Sequence, residues 1–215
     1  MMKRACIKAI ASHFPERQLT NDQLAAELGD WDSQKIYEKT GIVSRHIASE
    51  DECASDLAIA AAKKLFASGA CSPDDIDFLL FCTQSPDYFL PATACIIQER
   101  LGLRTDCGAI DFNQGCSGFV YGLSLTKNLI EGGDARNVLL LTAETYSKLI
   151  NRRDRSVRTV FGDAAAATLV RGVESDEPFL GPFVFGTDGR GAPGQLPKNV
   201  ARAPARAWNS PEAWP

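Results

Sequence analysis

Histidine is nearly missing from this 215-residue chain: there are two, His13 and His46, and none lies beyond residue 46. A cysteine hydrolase built on a strand-turn-helix nucleophile needs a histidine and an acid downstream, so that reading is the weakest one open to this sequence. Metal-ligand spacing is missing too. The seven cysteines (Cys6, Cys53, Cys71, Cys82, Cys95, Cys107 and Cys116) are odd in number, scattered, and include no Cys-x-x-Cys pair. Neither a zinc site nor a disulfide framework is expected, and reduced thiols fit a cytoplasmic protein. There is no excess of one charge. With 23 basic and 27 acidic residues the net charge is −4, which offers no general attraction to nucleic acid or an acidic membrane. Long apolar runs are absent as well. Lys8, Ser12 and His13 interrupt any leader-like stretch at the start, and the densest run, Phe78-Leu79-Leu80-Phe81-Cys82, falls far short of the roughly 20 residues of a membrane span. It reads as a buried strand. No internal repeat is present.

What is there suits a globular α/β protein: 45% of the residues are hydrophobic, and strand and helix signals alternate. Residues 5–11 read as a first strand. Thr20 caps a helix that runs to Gly29, and Ser55 and Asp56 open a second, stopped by Gly69. Residues 30–54 read as a loop. Residues 78–82, 108–112 and 138–142 read as short buried strands, with helices over 92–101 and 117–131 between them; 148–158 reads as a basic loop and 164–170 as a further strand. Crossover units of this kind predict a mostly parallel sheet. From residue 191 to residue 215 Ala, Pro, Arg and Gly dominate without apolar period, so the expected organisation is one domain over 1–190 and a disordered or aberrant tail over 191–215.

The segment Asp111-Phe112-Asn113-Gln114-Gly115-Cys116-Ser117-Gly118-Phe119 sets a cysteine between a strand and a helix, with glycine on both sides. Glycines permit a tight turn and close backbone approach, and the helix amino terminus offers unpaired N–H groups and partial positive charge, which favour the thiolate. Cys116 is therefore the candidate nucleophile. The other six cysteines read as core thiols, the ordinary place for free cysteine.

The sequence Gly115-Cys116-Ser117-Gly118-Phe119 resembles the active-site turn of the β-ketoacyl-acyl carrier protein (ACP) synthases of type III. The matches continue in order: Phe14-Pro15-Glu16, Leu19-Thr20-Asn21, Thr40-Gly41-Ile42 with Arg45-His46-Ile47-Ala48, Pro91-Ala92-Thr93-Ala94, and Phe161-Gly162-Asp163-Ala164. The resemblance runs from about Lys3 to Gly189 and implies the first half of a thiolase-like fold. It implies that Cys116 accepts an acyl group from acyl-CoA or an acyl carrier, and that malonyl-ACP then condenses on the thioester with decarboxylation. It implies no cofactor beyond these thioester substrates. It also implies a catalytic histidine, an asparagine and an oxyanion donor from a second half, which these residues do not include; His13 and His46 stand where the family has no catalytic histidine. An incomplete acyltransferase is thus expected, with two alternatives: a catalytically silent truncated chain or partner subunit, or another thiolase-like condensing enzyme.

Around the substrate, this sequence departs from the pattern. Lys35-Ile36 stands where the family carries a tryptophan that stacks on adenine, and Lys39 replaces an arginine; a lysine can pair with phosphate but not stack. Arg155 matches the position on the other side of the adenine, within a cluster of Lys148, Arg152, Arg153 and Arg158 that suits phosphopantetheine, an acidic carrier protein, or simply solvent. Leu90 matches the residue that closes the acyl pocket across a homodimer. The resemblance places that dimer through the strand over 138–142 and the Leu90 region, and it leaves room for a complementary C-terminal chain. Finally, Phe119, Val120, Tyr121, Leu123, Leu125, Leu129 and Ile130 spread around most of their helix, wider than a surface helix requires. Such a helix needs covering on two sides.

Overall fold

A computed structural model describes residues 2–29 and 31–191; the tail expected over 191–215 lies, from residue 192 on, outside the described residues. Five strands form the main sheet: β1 (Met2–His13), β4 (Phe78–Cys82), β5 (Gly108–Phe112), β6 (Asn137–Glu144) and β7 (Ala164–Ser175), in the order β1-β7-β6-β4-β5. The expected parallel crossovers occupy β6, β4 and β5, but β7 runs antiparallel to both β6 and β1, so the sheet as a whole is mixed. The reason lies in the connections. Helices carry the chain back between β4, β5 and β6, whereas β7 follows β6 without a long crossover helix and returns beside it.

A small ribbon of β2 (Gln18–Thr20) and β3 (Ser44–His46) stands apart from this sheet, with α1 (Asn21–Leu28) and α2 (Ser33–Thr40) beside it. The cap expected at Thr20 is present, as a capping box: its hydroxyl accepts from Gln23 N–H at 3.2 Å, and the Gln23 side chain accepts from Thr20 N–H at 2.9 Å. Sequence reasoning missed α2. Its signals were there, since Asp32 caps it and Gly41 ends it in the left-handed conformation, but Lys and Gln fill so much of its length that only Ile36 marks the buried side.

Side-chain alternation divides the core. Leu79 and Phe81 of β4, Leu139 and Leu141 of β6, and Leu169 of β7 pack beneath α3 (Ala54–Ala67) and α4 (Thr93–Leu101). Their neighbours Leu80, Leu140 and Val170 face the other way, toward α5 (Gly118–Glu131). α3 and α4 seal their face: Leu57, Ala58, Ala61, Leu65 and Ile97 are all buried. α5 does not seal its own. Ile130 is buried, but Val120 and Leu125 are exposed and Phe119, Leu123 and Leu129 only partly covered. The chain beyond β7 supplies some cover, with Leu180 against this cluster, Lys127 Nζ donating to Leu180 O at 3.3 Å, and the Phe185 ring 4.8 Å from Tyr121.

One expectation about assembly is overturned here. The strand over 138–142 cannot form a sheet-to-sheet dimer, because β6 is hydrogen-bonded on both edges, to β4 and to β7. The outer strands of the main sheet are β1 and β5. Among the described residues, no helix is long and apolar enough to cross a membrane.

Candidate active site

β5 ends at Phe112 and α5 begins at Gly118, so Cys116 lies in the short connection between them, at the carboxyl ends of the parallel strands. That is where open α/β sheets hold their ligands. The connection closes as a tight turn, with Gly118 N–H donating to Gly115 O at 2.8 Å, and the first turn of α5 opens directly behind it as Val120 and Tyr121 N–H donate to Ser117 O. Cys116 is exposed. Neither flanking glycine has a positive φ, so of the expected turn and close approach it is the close approach that calls for glycine. A Cβ on Gly118 would stand 2.3 Å from Cys82 Sγ, and one on Gly115 would stand 3.0 Å from Gln84 Oε1. Close approach demands glycine at 118, where buried Cys82 cannot yield, more than at 115, where the exposed Gln84 side chain can move.

The floor under the turn comes from the end of β4. Cys82 Sγ donates to Gln114 O at 3.3 Å, and burial pushes this thiol up to about 11, so it stays a neutral donor at physiological pH. Beside it, Glu144 at the end of β6 accepts from Gln84 N–H and from Ser85 Oγ–H, each at 2.7 Å, while Ser85 Oγ accepts from Thr145 N–H at 2.9 Å. Burial pushes the Glu144 carboxyl above its ordinary range, and these donors oppose the shift. Sequence reasoning missed Cys82, Gln84 and Glu144. One signal could have found Glu144: a carboxylate closing a fully apolar strand at the end where sites form.

Motifs that lie far apart in sequence meet behind this site. Asp163, itself buried, accepts from Ala48 N–H at 2.8 Å, Ser147 N–H at 2.9 Å and Ser147 Oγ–H at 2.5 Å, and its own N–H donates to His46 O. Arg45 donates to Asn21 Oδ1 at 2.6 Å and to Thr159 O, and Asn21 Nδ2 donates to Ile42 O. A Cβ at Gly162 would meet His46 O at 2.8 Å, which explains that glycine. Thus Thr20-Asn21, the stretch from Thr40 to Ala48 and Phe161-Gly162-Asp163-Ala164 form one clamp. His46 belongs to it, with Nδ1 2.6 Å from Pro15 O and its ring 5.2 Å from that of Phe14. His13 ends β1, and burial, then Lys64, lowers its pKa.

The expected substrate residues fall in two places. Lys39 lies in the last turn of α2, with Nζ 5.6 Å from the centre of the Trp31 ring. Arg155 opens a short helix, α6 (Arg155–Arg158), and donates to Leu28 O at 3.2 Å. Both therefore flank the α1–α2 junction. The stretch read as a basic loop is more ordered than expected: Arg158 pairs with Glu27 at 2.6 Å, and Lys148 Nζ donates to Glu50 O and Glu52 O. Leu90 is elsewhere, exposed on the loop after β4 with Tyr88 and Phe89. Asp87 ties that loop down by accepting from Ser55 N–H and Oγ–H, and Asp111 accepts from Thr93 and Ala94 N–H at 2.6 Å, capping α4 from the neighbouring strand. Among the described residues, no three His, Cys, Asp or Glu side chains gather as a metal would require.

Comparison with known proteins agrees with this geometry. The profile of the family described as 3-oxoacyl-[acyl-carrier-protein (ACP)] synthase III matches residues 110–189, which include Cys116 and the Asp163 motif. The β-ketoacyl-[acyl-carrier-protein] synthase III 2 of Halalkalibacterium halodurans is 41% identical over 191 residues, covering 89% of this chain and 57% of that protein. The synthase III of Caldanaerobacter subterraneus subsp. tengcongensis is 40% identical over 202 residues, 94% of this chain and 60% of that protein. A crystal structure of a 3-oxoacyl-(acyl-carrier-protein) synthase III superposes with a TM-score of 0.87 at 58% identity, over 88% of this chain and 56% of the other. The chain thus spans somewhat over half the length of the relatives it matches. Over the residues it spans, the chain is similar in sequence and in fold to the β-ketoacyl-ACP synthase III family.

Proposed function

We propose that this chain carries the acyl-accepting half of a ketoacyl-ACP synthase III, with Cys116 as the nucleophile that takes an acyl group from acyl-CoA or an acyl carrier. The observation that carries this reading is an exposed cysteine at the amino end of α5, over the carboxyl ends of β4, β5 and β6, in a chain whose relatives bear that name. In the transfer, Cys116 sulfur attacks the donor's thioester carbonyl, a tetrahedral intermediate forms, and the donor leaves as its thiol after taking up a proton. Decarboxylative condensation with malonyl-ACP would follow, using groups from the part of the relatives' length that these residues do not span. No cofactor enters beyond the thioesters. In this reading Lys39 and Arg155, on either side of the α1–α2 junction, meet the donor's phosphates, and Leu90 limits the acyl chain. A homodimer is supported by the open edge of β5 and the exposed Tyr88, Phe89 and Leu90, and a complementary chain by the open side of α5. The setting is cytoplasmic.

Incubating the protein with a short acyl-CoA and measuring the Cys116 peptide by mass spectrometry tests the reading. We expect an acyl adduct that Cys116→Ala abolishes, and no steady-state ketoacyl-ACP formation by this chain alone. Acylation at another cysteine, or none at Cys116 over hours, would overturn it.

A further inference from the structure

We infer that Glu144 is a positioning residue for Cys116, acting through Gln84. The inference rests on the reading of Cys116 as the reactive thiol. Gln84 is exposed, yet its amide lies against Gly115, the residue immediately before Cys116, closely enough that a Cβ there would meet Oε1 at 3.0 Å. What keeps Gln84 there is its backbone. Its N–H donates to one oxygen of Glu144, and the other oxygen accepts the Ser85 hydroxyl, which in turn accepts Thr145 N–H. Glu144 therefore ties the end of β6 to Gln84 and Ser85, just beyond β4, and Gln84 stands between that tie and the nucleophile.

The arrangement is not needed to hold the sheet together. β4 and β6 are already joined by their own ladder from Phe78–Val138 to Cys82–Thr142, and Thr83 N–H donates to Phe112 O. A half-buried carboxylate that accepts from Gln84 and from the Thr83 and Ser85 side chains, beyond the end of that ladder, adds rigidity to the loop that abuts the Cys116 turn. Cys82 supports the same turn from below, at Gln114 and Gly118. The turn is thus held from two directions, and Glu144 governs one of them. Because a thiol at a helix amino terminus depends on its placement for its reactivity, loosening one support slows it.

The test is the rate of Cys116 alkylation by iodoacetamide in the folded chain, followed by peptide mass spectrometry, with exposed Cys95 as the internal reference. Glu144→Ala should slow Cys116 by about three- to tenfold, the range of one lost hydrogen bond. Glu144→Gln, which keeps the shape and one acceptor, should restore most of the rate. Should Glu144→Ala fail to fold, Gln84→Ala removes only an exposed side chain and should slow Cys116 equally, whereas Gln84→Met, of similar length, should not. The double variant should be no slower than Gln84→Ala. Unchanged rates in both alanine variants, additive effects, or an equal change at Cys95 would each overturn the inference. Acyl-CoA labelling separates it from the functional reading: slowed alkylation without any acylation of Cys116 would leave the positioning role standing and remove the proposed reaction.

Discussion

The two faces of the main sheet are finished to different degrees. Under α3 and α4 the apolar residues are sealed from solvent, down to Phe81, Leu139 and Ile97 at 0% exposure. Under α5 the sheet residues Leu80, Leu140 and Val170 are equally buried, but the helix turns its outer side to solvent, with Leu125 42% exposed. An amphipathic helix on a finished face carries polar residues outward; α5 carries Val120, Tyr121 and Leu125. The site sits on the unfinished face. The first face makes the fold and the second is open to a further layer, so substitutions on the two should differ sharply in cost.

The sharpest test is Phe81→Ala on the sealed face, expected to cost about 3–5 kcal/mol in chemical denaturation, since a large buried ring leaves a cavity. A loss well under half of that would mean the sealed face is looser than its burial implies. Next comes Gly118→Ala. Its new Cβ would collide with Cys82 Sγ, so a loss of about 1–3 kcal/mol is expected, with slower alkylation of Cys116; adding Cys82→Ala should recover part of both.

A smaller effect concerns alkaline pH. Burial raises the Cys82 and Cys107 thiols from 9.0 to about 11, so the folded chain keeps protons that the unfolded chain releases. Stability from these groups is complete below pH 9 and falls as pH rises toward 11. Melting temperature followed across that window should drop, and less so in Cys82→Ala; equal slopes would show that Cys82 ionises as freely folded as unfolded. Smallest of all is Leu125→Ala, within about 0.5 kcal/mol, because its side chain is already exposed to water over much of its surface. It should instead weaken the binding of a hydrophobic dye, which the open side of α5 is expected to attract. A dye-silent chain would mean this side is covered after all.

Much of this was legible in the residues. The buried strand over 78–82, the cap at Thr20 and the cysteine at the start of α5 each rest on local chemistry, and each appears within a residue or so of its expected place. α2 was not, because charged and polar residues outnumber the single apolar anchor that would reveal its period. Antiparallel β7 and the open edge of β5 were not either, since strand order depends on which faces the helices cover, a property no single segment carries. The support beneath Cys116 was hidden for another reason. Cys82, Gln84 and Glu144 lie 34, 32 and 28 positions from Cys116, and only the parallel register of β4 with β5 and β6 brings them to it.

The pairing of β1 with β7 has a consequence for synthesis. β1 borders no other strand, and its partner begins 151 residues after it ends, at Ala164. At roughly 5–20 residues per second, the first strand waits on the order of 8–30 s for its partner to be made. During that interval a twelve-residue strand with alternating apolar residues has both edges open, and the ribosome-bound chain offers it nothing native to pair with. Newly made β1 is thus the segment that a nascent-chain chaperone has most reason to hold.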